Sequence, residues 1–186
     1  METRLPDNRL ILLNGPSSAG KSTVAGELCR KLRLHGADPL VISIDDYMKI
    51  GKDEEIWEDD VFEAMQDMVR DITPALRQGK QVIVDHVITS ARIYEALLDA
   101  AAGFGVVPVL VTCSMETLRE REKARGDRFA GSAEASYRYL YPKDGYDLRI
   151  DSGKTGPEAS AEMIMEFLRT KDVPETERMG TNGLSC

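Results

Sequence analysis

Residues 9–23 read RLILLNGPSSAGKST: a strand-length apolar run, then a Gly- and Ser-rich turn, a lysine and two hydroxyl residues. The near-continuous hydrophobicity of Arg9 to Asn14 predicts a strand buried on both faces. The turn fits G-x-x-x-x-G-K-[ST] from Gly15 to Ser22, and helical spacing from Lys21 onward supplies the strand-loop-helix context the pattern requires. Small residues let successive backbone N–H groups converge on one cluster of anionic oxygens, and the helix N-terminus adds its dipole there. Gly15, Ser17, Ser18, Ala19, Gly20, Lys21, Ser22 and Thr23 are therefore expected to hold the phosphates of a nucleotide. Lys21 neutralises the terminal phosphates, and the Ser22 hydroxyl is a hard oxygen ligand for Mg²⁺, so ATP and Mg²⁺ are the implied cofactors.

Outward from that loop, short apolar runs alternate with stretches of helical spacing, the pattern of repeated strand-helix units around a parallel sheet. Strands are expected at about residues 9–14, 40–44, 81–85, 107–113 and 147–151, the last the weakest. Helices are expected at about 21–34, 59–77, 90–102, 115–123, 132–141 and 157–169, with Gly36, Gly79 and Gly103 as stop signals after three of them. The fold class is α/β. Residues 1–170 are read as one domain, and 171–186, mixed and without period, as a disordered polar tail.

Composition narrows the partners. A formal net charge of −8 offers no broad basic surface for nucleic acid, so a small molecule is the expected substrate. Cys29, Cys113 and Cys186 are odd in number and lack metal-ligand spacing, which fits reduced thiols. The N-terminal apolar run is too short for a membrane span or a signal core, so a cytoplasmic protein with no membrane partner is expected. Oligomeric state is left open.

Where the phosphate goes depends on carboxylates at the strand ends. Asp45 and Asp46 stand at the carboxyl end of the second strand, the edge where ligands bind in open parallel sheets. Asp45 is assigned as the base that accepts the proton of an attacking hydroxyl, and Asp46, on the other side of an extended chain, as a turn residue. Asp85 closes QVIVD and is assigned to Mg²⁺ beside Ser22. His86 follows, read either as a structural histidine, the commoner use of a lone His, or as an acceptor-site contact.

The stretch LREREKARGDRFAG, from Leu118 to Gly131, supplies the opposite charge. Arg121 and Arg125 are four apart on one helix face, and Arg128 follows a Gly126-Asp127 break. Their guanidinium groups match phosphate oxygens, so the segment about 121–145 is read as a lid, with Arg121 on the nucleotide and Arg125 and Arg128 on the transferring group. Glu120, Glu122 and Lys123 are read as a solvated face.

The order GxSSAGKS, an Asp after the second strand, VIVDHV, REKARGDRxxGxA and GYDxxxDS resembles the chloramphenicol phosphotransferase family, over about Arg9 to Phe167. The resemblance implies a five-stranded P-loop kinase fold of three layers, with sheet order 2-3-1-4-5, and an ATP-dependent kinase acting on a small hydroxylated molecule. Asp45 falls on the position of the family's proposed base. Chloramphenicol as acceptor, with a role in antibiotic resistance, is implied by resemblance alone. This chain departs from the family in having Ser136 and Tyr141 where a Gln and a His are usual.

The stretch DYMKIGKDEEIWEDDVF is more similar to uridine and nicotinamide riboside kinases, which makes a nucleoside-type acceptor the alternative and points to Asp59 or Asp60 as a ribose-holding carboxylate. Trp57 is read either as a stacking surface for an aromatic acceptor or, the commoner outcome for a single Trp, as a cover on the rim of a core. The loop at Asp151 to Ser160 is expected to pass near the adenine, with Lys154 and Thr155 as contributors. A GTPase would show N-K-x-D and a D-x-x-G after its third strand; neither occurs. A non-catalytic nucleotide-binding module is the third reading, and it leaves Asp45 and the arginines unexplained.

Overall fold

The computed structural model describes residues 9–49, 56–125 and 130–171. The elements follow in the order β1 (Arg9–Asn14), α1 (Lys21–Leu34), β2 (Pro39–Ser43), α2 (Glu58–Arg77), β3 (Gln81–His86), α3 (Ala91–Ala100), β4 (Gly105–Thr112), α4 (Met115–Arg125), α5 (Ser132–Tyr139), β5 (Leu148–Asp151) and α6 (Pro157–Lys171). The strands form one parallel sheet in the order β2-β3-β1-β4-β5, as the resemblance implies.

Strand alternation divides β1 between two apolar cores. Ile11 and Leu13 face α1 and α6 with Val24, Leu28, Ile164 and Leu168. Leu10 and Leu12 face α2 and α3 with Met65, Ile72, Ile93 and Leu97. Helices on both faces leave no solvated side to the central strands, which is why their sequences are apolar throughout. Cys29 and Cys113 are buried free thiols. Among the described residues no helix is long and apolar enough to cross a membrane. Residues 172–186 of the expected tail lie outside the described residues.

The differences from the sequence reading are local. β4 starts at Gly105, two residues earlier than expected, because Gly105 and Val106 continue the parallel ladder with Arg9 and Leu10. α5 ends at Tyr139: Leu140 leaves the helical region, and Tyr141, which precedes Pro142, is the residue that proline drives from helix. β2 ends at Ser43 and Ile44–Asp46 forms a tight 3-10 turn. Asp45 and Asp46 therefore leave from a turn and not from an extended strand; they still diverge, since Asp45 lines the cleft described below and Asp46 is absent from its lining.

The sheet also decides why the phosphate loop begins with glycine. A Cβ on Gly15 would lie 1.9 Å from the backbone carbonyl oxygen of Val111 in β4. No side-chain rotation relieves a clash with backbone, so strand and loop would have to part. Gly15→Ala should cost about 3 kcal/mol, a fall in Tm of roughly 5–10 °C, read in a thermal melt against the native chain.

Candidate active site

The phosphate loop leaves β1 at the carboxyl edge of the sheet and enters α1 through Gly20, whose left-handed φ of 86° suits glycine. Ser18 holds φ 64° without that freedom, a strain of about 1–2 kcal/mol that the folded loop sustains. α1 begins without a side-chain cap and has no acidic residue in its first turn. α2 is the contrast: Glu58, Asp59 and Asp60 fill its first turn, and the Asp60 carboxylate accepts the Trp57 N–H at 2.9 Å. The start of α1 thus keeps its N–H groups and positive dipole end for an anion from outside the chain.

Lys21 is buried, 6% exposed, and its ammonium reaches back to donate to the Pro16 carbonyl at 2.9 Å. A buried cation is stabilised by opposite charge, and a phosphate on the loop would add to it. The Ser22 hydroxyl donates to Asp85 Oδ2 at 2.6 Å. These are two adjacent hard oxygen donors and not a closed cage; among the described residues no three His, Cys, Asp or Glu side chains group as metal ligands. Such a pair fits Mg²⁺, which keeps several waters and takes other ligands from phosphates.

Loop, β2 turn, start of α2, end of β3, and α4 with α5 surround a cleft of about 1000 Å³. Ser17, Ser18, Gly20, Lys21, Ser22 and Thr23 form its floor. Asp45, Trp57 and Asp85 line one side, above β2 and β3, while Arg121 and Arg125 come from α4, beyond β4. Trp57 is 68% exposed there, at the rim and not over a core.

Two residues expected in the acceptor site do other things. Asp60 caps α2 as described, and its neighbour Asp59 pairs with Arg92 at 2.7 Å, so neither carboxylate is turned to the cleft; Glu58 lines it instead. His86 is fully buried and does not line the cleft. Strand alternation is the reason: Asp85 shares its face with Ile83, toward α1, so His86 turns to the α2–α3 side with Val84. Burial drives its imidazole down to about 4, Lys21 adding to the effect and Asp45 opposing it.

Arg121 ties the nucleotide side together. It donates to Ser152 Oγ at 3.0 Å, the Ser152 carbonyl at 2.9 Å and the Ala19 carbonyl at 3.5 Å, and Ser152 Oγ itself donates to Ala19 O at 2.7 Å. The β5–α6 turn is thereby fastened to the phosphate loop. Arg128 lies outside the described residues.

Glu122, read from sequence as solvated, accepts N–H groups of Gly131 at 3.1 Å and Ala133 at 2.7 Å. It caps α5 from α4, satisfying donors a helix start leaves open. A second tie joins α5 to the loop, where Ser136 Oγ accepts the Ser17 N–H at 2.9 Å.

Comparison with known proteins agrees with this geometry. The model of the family described as chloramphenicol phosphotransferase-like protein matches residues 8–169. The chain belongs to that family. A relative from Mycobacterium tuberculosis, named "Putative O-phosphotransferase", is 30% identical over 175 residues, 81% of this chain and 78% of its own. The fold is shared with APS kinase of Mycobacterium tuberculosis, solved with AMPPNP and APS, at TM-score 0.70 and 22% identity over 88% of this chain and 98% of that one. A gluconokinase of Sinorhizobium meliloti matches at TM-score 0.64 and 17% identity, over 92% and 100%. Family and fold together make the chain an ATP-dependent small-molecule kinase of the phosphotransferase class.

Within this chloramphenicol phosphotransferase-like chain, Asn14 is the site residue that motif reading passed over. It closes β1 fully buried, with partners on three segments of the site. Its signal was a polar residue ending a wholly apolar run, the same signal that picked out Asp85. Ser152 and Ser136 carried none, since small hydroxyl residues are common in loops and helix faces.

The buried histidine gives a pH test. The folded ring titrates near 4 and an unfolded one near 6.5, so between those values the unfolded chain binds more protons. Stability attached to His86 is present above about pH 6.5 and is lost as pH falls toward 4, amounting to about 3 kcal/mol. Denaturant titrations across that range should show this loss in the native chain and a shallower slope in His86→Leu.

Proposed function

We propose that the chain transfers the γ-phosphate of ATP to a hydroxyl of a small molecule, with an acceptor of the chloramphenicol 3-O type. The observation that carries this reading is one cleft holding both halves of the reaction. An uncapped helix start with buried Lys21 and the Ser22–Asp85 pair makes the donor half, and Asp45, on the turn after β2, supports the acceptor half.

In this reading the loop amides and Lys21 hold the β- and γ-phosphates. Ser22 and Asp85 would hold Mg²⁺, which would offset the negative charge of the phosphates. The Asp45 carboxylate takes the proton of the acceptor hydroxyl. The hydroxyl oxygen bonds to the γ-phosphorus as the bond to the β,γ-bridging oxygen breaks, and ADP leaves with that electron pair. Arg125 and Arg128, on a lid of about 121–145, offset charge on the phosphoryl group in flight, and Trp57 forms an aromatic wall for the acceptor.

The engagement of Asp59 and Asp60 within and beside α2 counts against the nucleoside-kinase alternative, whose ribose-holding carboxylate would fall there. Phosphorylation of chloramphenicol would inactivate a drug in the cytoplasm, where ATP is supplied, and so would confer antibiotic resistance.

Purified protein with Mg²⁺ and ATP should form ADP in proportion to a phosphorylated product in a panel of chloramphenicol, nucleosides and other hydroxylated antibiotics, read by mass spectrometry. ADP release equal with and without every acceptor would end the kinase reading. Asp45→Asn should lower turnover by about 10²- to 10⁴-fold with ATP affinity kept, because the base acts on the acceptor. Lys21→Ala should weaken nucleotide binding and turnover together.

A further inference from the structure

Asn14 has no role in the chemistry just described, yet its amide is saturated across the centre of the site. Oδ1 accepts the N–H of Gly15 at 3.0 Å and of Ile88 at 3.0 Å. Nδ2 donates to the Tyr141 carbonyl at 2.8 Å and to Tyr146 Oη at 2.8 Å. A carboxamide has two donors and room for two strong acceptor bonds, so this one is fully used, with no exposed surface.

The four partners belong to three segments that meet nowhere else in sequence. Gly15 opens the phosphate loop. Ile88 stands between Val87 and Thr89, both of which line the cleft on the acceptor side. Tyr141 and Tyr146 belong to the chain returning from α5 to β5. Two further bonds close the set: the Tyr141 N–H donates to the Ile88 carbonyl at 2.9 Å, and Tyr146 Oη donates to the Pro142 carbonyl at 2.9 Å. The Tyr141 ring meets Tyr94 of α3 edge-on, centroids 5.8 Å apart. Burial pushes the Tyr146 phenol up to about 12.

We propose that Asn14 is a positioning residue for phosphoryl transfer: it sets the acceptor wall at Val87 to Thr89, and the chain leaving α5, against the phosphate loop. The proposal rests on the kinase reading of the cleft. Transfer needs the acceptor oxygen, the γ-phosphorus and the bridging oxygen in line, and misplacement by about 1 Å is enough to cost a large factor in rate. The donor half is built on β1 and α1, and the acceptor wall on the loop after β3. Backbone pairing of β1 with β3 ends at Asn14 and His86, so beyond it side-chain bonds must keep the two halves in register.

The chemistry requires the amide and not its volume alone. Asn14→Asp keeps size and the two acceptor bonds, but presents a carboxylate oxygen to the Tyr141 carbonyl where a donor stood. Asn14→Ala removes all four bonds and leaves buried groups unpaired.

The test takes the full chain and both variants through three measurements. These are amide hydrogen exchange, affinity for Mg²⁺-AMPPNP, and the ratio of ADP to phosphorylated product over the hydroxylated panel, chloramphenicol included. Expected for Asn14→Asp are exchange at residues 87–89 and 140–146 faster by about tenfold or more, unchanged exchange in β1 and β4, and nucleotide affinity within about threefold of native. Product should fall while ADP continues to form together with inorganic phosphate, so the ratio rises, because a γ-phosphoryl group whose acceptor is misaligned passes to water instead. Native exchange in both segments, or a ratio left unchanged while turnover and nucleotide affinity decline in parallel, overturns the proposal. If Asn14→Ala does not fold, Asn14→Asp decides alone. A native chain that phosphorylates nothing in the panel speaks against the acceptor reading instead, and exchange and nucleotide affinity still decide whether Asn14 holds the wall.

Discussion

Gly15 passes the Val111 carbonyl so closely that a single added carbon would lie 1.9 Å from the oxygen. Everything at the carboxyl edge of the sheet depends on that approach. It lets the chain turn out of β1 while β1 remains paired to β4 through Asn14 and Leu110. The turn then has room to bring Ser18 and Gly20 into left-handed conformations and to start α1 over the sheet. Hydrophobic burial on both faces holds the sheet and helices together, but it is non-directional and cannot shape a loop. Backbone clearance at one glycine does that here.

The charges follow from the same geometry. α1 starts with no acid and no cap, whereas α2 carries three acids and a capping carboxylate. The chain is acidic overall, yet Lys21, Arg121 and Arg125 face the cleft. Concentrating positive charge and open N–H groups at one place in an acidic protein favours a compact polyanion there. Arg121, bonded to Ser152 and Ala19, also fastens the two loops that flank this side, so it acts through structure as well as charge.

Much of this was legible from sequence because it depended on periodicity or on rigid local rules. The strands, the helices and the P-loop could be read from apolar runs, from Gly and Pro, and from one motif. Asp45, Asp85, Lys21 and Ser22 lie around one cleft because strands of a parallel sheet all end on the same edge. The misreadings concern side chains whose partners residue type does not reveal. Asp60 and Glu122 are acids that bond to helix-start N–H groups, one within its own helix and one on the next, and acidity alone does not separate those uses from substrate binding or solvation. His86 differs from Asp85 by one position, and one position in a strand is the opposite face.

By itself, then, the sequence determined the fold class, the phosphate loop and which strand ends carry acids, because these rest on short-range sterics and on the two periodicities of helix and strand. The tertiary structure decided the sheet register, the tie of α5 to the loop through Ser136 and Ser17, and the saturation of Asn14 by Gly15, Ile88, Tyr141 and Tyr146. A buried amide must find its donors and acceptors wherever packing brings them, and here they lie up to 132 positions away along the chain.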